Sequence, residues 1–156
     1  MRNTLHRASA ALFLLASLVL ASPLTAQERG IWHASSSNAK SITGDVVLGD
    51  QKITINFLTF TMVQVRALQS AELSAAFDAD PSAHGGGSLY RLQISSTTKF
   101  LRKNTLCGTD DTEWMAIYVA GRTLQLAFFS GDKPPVFTLD ALSNSSDVCG
   151  TFSYGY

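Results

Sequence analysis

Apolar and polar positions alternate along most of this chain in short runs separated by turn residues. The clearest case is "EWMAIYVAGRTLQLAFFS". Residues 113–119 and 123–130 are rich in aromatic and branched side chains and flank a turn at Ala120-Gly121 or Gly121-Arg122, which predicts a β-hairpin. In its second arm Leu124, Leu126 and Phe128 share one face, which the pattern assigns to the core. Thr123, Gln125, Ala127 and Phe129 share the other. The first arm is apolar on both faces, as expected of a strand covered on each side or lining a cavity.

Upstream, residues 42–48 and 52–58 flank a Gly49-Asp50 turn, with Ile53, Ile55 and Phe57 alternating against Thr54 and Asn56. "FTMVQVRAL", "SLYRLQISS" and the ending "VCGTFSYGY" supply further strands. Seven or eight short strands with polar turns predict an all-β fold, an antiparallel barrel or sandwich. One stretch departs from period two. Residues 67–78 hold good helix formers, Leu68, Leu73 and Phe77 fall on a helical stripe, and Pro81 stops the run. A short helix is expected there, followed by a flexible loop at "AHGGGS".

The N-terminal segment changes the compartment. Arg2 and Arg7 precede an apolar run over residues 10–21, and Pro23 breaks it before a small-residue cleavage site between Ala26 and Gln27. The run is shorter than the roughly 20 apolar residues of a spanning helix. Residues 1–26 therefore read as a signal peptide and 27–156 as a single β domain, secreted or periplasmic. No cysteine follows the apolar run, so a lipid-modified N-terminus is not expected. Losing Arg2 and Arg7 leaves ten basic against twelve acidic residues, a net charge of −2. Cations spread this way give no footprint for nucleic acid or an anionic membrane.

Cys107 and Cys149 sit in near-identical settings, "LCGT" and "VCGT". A zinc site would need four ligands, and the histidines of the domain, His33 and His84, lack ligand spacing. A redox pair would favour Cys-x-x-Cys, which is absent. In an exported chain with two cysteines a structural disulfide is the default, worth at most roughly 4 kcal/mol by loop entropy.

Candidate catalytic features are thin. "HGGGS", residues 84–88, is similar to the oxyanion loop of lipases and esterases, but the Gly-x-Ser-x-Gly elbow that such a loop serves is missing. His33 and Ser35 would share a strand face without an assignable carboxylate to orient the imidazole. Asp110, Asp111 and Glu113 lack the spacing and glycine of a calcium loop, and Asp78 and Asp80 suit a helix end and turn. Phe152, Tyr154 and Tyr156 at period two resemble the closing strand of outer-membrane barrels, yet the strands look too short to span, so membrane integration is not expected. No enzyme, metal site or cofactor is predicted.

Gly30-Ile31-Trp32 opens the domain with a Gly-x-Trp pattern that resembles the first signature of lipocalins. The resemblance implies a barrel with the tryptophan at its closed end, usually beneath an arginine, and an open end that admits apolar ligands. The family's Thr-Asp-Tyr motif is not matched: Thr109-Asp110 is followed by Asp111, and Arg122 falls at a turn. Two functions follow. One is a binding barrel holding a small apolar molecule against Trp32, Trp114, Tyr118 and Phe128. The other is a module that binds an extracellular or periplasmic protein, such as a hydrolase inhibitor or envelope assembly factor, through loops at 79–88 or 130–135.

Overall fold

The structure, a computed structural model, describes residues 29–156. The expected leader and the cleavage site at Ala26 and Gln27 lie outside them. Eight antiparallel strands close into a barrel in sequence order. They are β1 (Gly30–Ala34), β2 (Val46–Gly49), β3 (Lys52–Ile55), β4 (Leu58–Ala67), β5 (Gly85–Ile94), β6 (Thr112–Ala120), β7 (Thr123–Phe129) and β8 (Val148–Gly155). Closure is narrow, for β1 meets β8 only at His33↔Gly155 and Ala34↔Tyr154. The upper end carries the turns after β2 and β6. The lower end is stoppered by a π-helical turn (Ala39–Thr43) and a 3₁₀ turn (Leu101–Lys103).

Alternation sorts the side chains into two layers. Met115, Ile117 and Val119 of β6 and Leu124, Leu126 and Phe128 of β7 point inward, where they join Trp32, Ile53, Phe152 and Tyr154 in a buried core. From the lower end Ala39, Phe100 and Leu106 complete it. Tyr154 and Thr43 join their hydroxyls at 2.7 Å, satisfying a polar pair inside this apolar interior. Burial pushes the Tyr154 phenol well above its ordinary pKa, and the bond to Thr43 only partly opposes this.

The opposite faces of β5, β6 and β7 form a second core. Leu89, Trp114, Ala116, Tyr118, Ala127 and Phe129 pack beneath α1 (Ser70–Phe77) and the segment leading to α2 (Leu139–Asn144). The expected helix over 67–78 is shorter: Leu73 and Phe77 are the contacts of α1, while Leu68 joins the same core from the link between β4 and α1. Glu72 closes the first turn of α1: its carboxylate accepts the Gln69 N–H at 2.9 Å and a two-pronged bond from Arg66. The second helix, α2, begins at Thr138, whose Oγ1 accepts the Ala141 N–H.

The expected flexible loop at residues 83–88 is corrected. Gly85, Gly86 and Gly87 are the first residues of β5, paired with Ala120, Val119 and Tyr118. A Cβ at Gly87 would lie 2.2 Å from the Ile117 carbonyl oxygen and 2.7 Å from Leu73 Cδ2. One at Gly85 would lie 2.7 Å from the Tyr118 ring. Glycine is needed because α1 and Tyr118 press onto bare backbone, with Tyr118 stacked on Phe77 at 5.7 Å between ring centres. Phe57 also departs from the pattern. β3 ends at Ile55, and Phe57 sits in a turn, 96% exposed, rather than in line with Ile53 and Ile55. Residues 42 and 43 belong to the π-helical turn instead of a strand.

Cys107 and Cys149 are bonded, with Cα atoms 4.7 Å apart. The bridge fastens the lower stopper to the start of β8.

Candidate binding surfaces

The strands around the upper mouth differ in length, and that creates an edge. β3 has four residues and β4 has ten. Their pairing runs from Ile55↔Leu58 to Lys52↔Thr61, and the Met62 N–H donates to Gln51 O at 2.9 Å. Beyond Met62, β4 pairs only with β5, from Val63↔Arg91 to Ala67↔Ser88, with a register shift between Gln64 and Arg66. A bulge coils a strand and adds twist. Here it lies on the part of β4 that β3 no longer accompanies. Among the described residues no strand pairs with 63–67 on the side away from β5.

Proteins commonly blunt such an edge with lysine, proline, an inward-pointing charge or a bulge, and of these this edge carries the bulge between Gln64 and Arg66. Residues 62–67 hold neither lysine nor proline. Their one charge, Arg66, is turned onto Glu72, and Gln64 Nε2 donates to Ser88 Oγ at 3.0 Å. Val63 and Val65 are left 57% and 50% exposed. Beside them the mouth holds a cleft of about 280 Å³. Leu48, Met62 and Tyr90 form its apolar floor; Gln51, Gln64 and the Arg29–Asp50 ion pair form its rim. This arrangement leaves main-chain donors and acceptors on either side of the bulge, with an apolar recess next to them.

The four aromatic residues expected to contact a ligand are not brought together. Trp32 and Phe128 are fully buried inside the barrel, Trp32 edge-on to Tyr156 at 5.2 Å and Phe128 edge-on to Phe152 at 5.4 Å. Trp114 and Tyr118 lie in the outer core. Trp114 Nε1 donates to Gly131 O at 2.9 Å, and the Arg91 guanidinium, paired with Glu113, covers its ring at 4.4 Å. The expectation that Trp114 or Tyr118 lines an internal space is thereby corrected: alternation directs Met115 and Ile117 inward and these two outward. Arg122 reaches Trp32 indirectly, through a bond to the Tyr156 carbonyl. The end where a lipocalin would admit its ligand, away from Gly30, is filled here by Ala39, Phe100 and Leu106.

His33 gains the carboxylate that the sequence did not assign. Its Nδ1 lies 2.8 Å from Asp45 Oδ2, and Asp45 Oδ1 accepts the Ala34 N–H at 2.8 Å. That backbone bond first, and the imidazole second, hold the Asp45 carboxyl below the usual carboxylate range. No hydroxyl is bonded to His33 among the described residues. Ser35 gives its N–H to Ser153 O, and Ser36 Oγ accepts from Ala39 and Ser153. The serines thus build the corner after β1, and none of them is bonded to the exposed His33–Asp45 pair.

The acidic residues serve similar local ends. Asp111 Oδ1 accepts the Ser96 N–H at 2.7 Å, Glu113 pairs with Arg91, and Asp80 Oδ1 accepts both the N–H and the hydroxyl of Ser82. Among the described residues no group of three or more His, Cys, Asp or Glu is arranged to hold a metal. No helix among them is long and apolar enough to cross a membrane.

Sequence reasoning missed the β4 edge. The sequence pattern gives the two strands before it seven residues each, so nothing in that pattern shows that β3 stops short of β4. Comparison of the chain with protein-family models, with curated proteins and with solved structures finds no match.

Proposed function

We propose that this protein is a non-catalytic binding module of the secreted or periplasmic space, taking an extended segment of a partner protein along the free edge of β4. The observation that carries this reading is the unpaired stretch 63–67, where β4 outruns β3. A peptide laid there would gain main-chain hydrogen bonds, and every second side chain would turn toward the cleft over Leu48, Met62 and Tyr90. The Cys107–Cys149 bridge suits an oxidising compartment and gives the module a rigid frame.

The small-ligand reading has less support. Its expected contacts fall in two separate layers, and the mouth cleft lies at the lower limit of the roughly 300–1,000 Å³ typical of small-molecule sites. An apolar, filled interior is also the reverse of the polar lumen of membrane-spanning barrels.

A displayed library of random peptides, selected on residues 27–156, tests the proposal. Selected peptides should slow amide exchange at 63–67 and shift resonances of Leu48 and Tyr90. Val65→Lys, at an exposed position, should weaken them about tenfold, a difference of about 1.4 kcal/mol. Protection confined to another face, or peptides indifferent to Val65→Lys, would sink strand addition. Saturable binding of a small apolar probe in the cleft, with no peptide selected, would favour the small-ligand reading.

A further inference from the structure

The lower end of the barrel carries a second exposed feature, independent of the β4 edge. Asn56 and Phe57 form the tight turn between β3 and β4, with φ of 46° and 68°. A two-residue turn with positive φ at both positions favours Asn-Gly. Here glycine's place is taken by a phenylalanine, for which this backbone region is a genuine outlier. Phe57 is 96% exposed and its neighbour Leu58 is 42% exposed. Nothing within the described chain covers the ring that this strained turn presents.

The same end gathers cations that are separate in sequence. The Phe60 and Phe100 rings meet at 6.1 Å, which sets the segment 99–103 beside the base of the hairpin. Asn104 Nδ2 donates to Ser41 O, and Leu101 packs against Gly44, so the two turns of the stopper are neighbours. Lys40, Lys99, Arg102 and Lys103 all project from them and are exposed. Arg102 and Lys103 themselves hold φ of 54° and 62°, again where a side chain costs most. The sequence expectation that the cations are scattered fails at this end: four of the ten stand here, next to a bare aromatic tip.

We propose that this end docks on an anionic lipid surface, with Phe57 and Leu58 entering the headgroup layer and Lys40, Lys99, Arg102 and Lys103 set against its phosphates. The charge is complementary, since basic residues beside an anionic leaflet are attracted to it. The apolar pair is convex and stands at a hairpin tip. A headgroup layer accepts such a tip without the matching pocket that a protein would need. Asp110, Asp111, Asp132 and Asp147 lie at the lower ends of β6, β7 and β8, across the barrel from β3. An anionic surface repels that side more than the β3–β4 flank, whose own carboxylate, Asp45 before β2, is paired with His33, so the molecule docks tilted onto that flank. The mouth and the β4 edge then face away from the lipid.

Flotation of residues 27–156 with vesicles tests this, using phosphatidylcholine alone and an equimolar mixture with phosphatidylglycerol. The protein should float with the mixed vesicles only, and added salt should release it. Phe57→Gly suits the turn and should fold at least as well, yet lower partitioning about tenfold through loss of one buried aromatic side chain. R102N/K103N keeps residues that tolerate the left-handed backbone and removes two charges, for a loss of about 30-fold. Wild-type protein that ignores mixed vesicles, or binding that survives Phe57→Gly in folded protein, overturns the proposal.

Discussion

The barrel has a thick half and a thin half. β5, β6 and β7 have seven to ten residues and are buried on both faces, inward against the barrel core and outward beneath α1 and the segment before α2. β1, β2 and β3 have four or five residues and bury only their inner faces. Outside, Ile31 and Val47 stand 56% and 41% exposed. The difference teaches where this chain invests its stability and where it leaves surface for others. Both proposed binding regions, the β4 edge and the β3–β4 tip, border the thin half.

The sharpest break in that comparison comes from deleting one side chain in each layer. Phe128→Ala should cost about 3–5 kcal/mol in denaturant unfolding, the usual range for a fully buried phenylalanine. Val47→Ala, on the open outer face of β2, should stay within about 0.5 kcal/mol. Equal losses would mean that the thin half is covered in solution by something absent from the single chain.

A smaller effect isolates the outer core. Gly87→Ala forces a methyl group into the Ile117 carbonyl and Leu73, and should cost about 1–3 kcal/mol. Faster amide exchange in α1 should accompany the lower melting temperature. A neutral substitution would show that α1 is not seated on β5 as described.

The smallest effect is a titration. Arg66 first, then the Gln69 N–H, lowers the Glu72 carboxyl below its ordinary 4.5, while burial opposes them. A carboxylate with a depressed folded pKa contributes stability above its unfolded value, and loses it as pH falls through the folded value. Acidification below pH 4.5 should therefore loosen α1 before the rest of the barrel, by less than about 1 kcal/mol because Arg66 is half exposed to solvent. Amide exchange at Leu73 and Phe77 reports it. Glu72→Gln should remove that pH dependence; an unchanged profile would place the acid sensitivity elsewhere, with Asp45 the next carboxylate to test.

How far the sequence could be read follows the same division. The β6–β7 hairpin was legible because its inward positions carry Met115, Ile117, Leu124, Leu126 and Phe128 and its outward ones include Trp114, Tyr118 and Phe129, and the cover by Leu73 and Phe77 followed from their helical spacing. Cys107 and Cys149 were legible from number and compartment. Gly85–Gly87 were not, since local propensity reads glycine as loop, and only a helix and a tyrosine from elsewhere in the chain make bare backbone necessary. α2 is six residues long and has little signal beyond its Thr138 cap. The β4 edge and the cationic lower end were hidden for a different reason. Each depends on which segments meet, through Lys52↔Thr61 in one case and Phe60 with Phe100 in the other, and periodicity along a single segment does not encode that.

The placement of the two tryptophans has an optical consequence. Trp32 belongs to β1 and is sealed within the barrel; Trp114 belongs to β6 and lies in the outer layer under the Arg91 guanidinium. Each half of the molecule therefore carries its own intrinsic fluorophore, Trp32 among the apolar side chains of the barrel and Trp114 beneath a cation. Replacing one at a time by phenylalanine separates the emission of the thin half from that of the thick half without attaching a dye. A protein whose two halves differ in cover is, by this accident of sequence, already labelled to report on each of them.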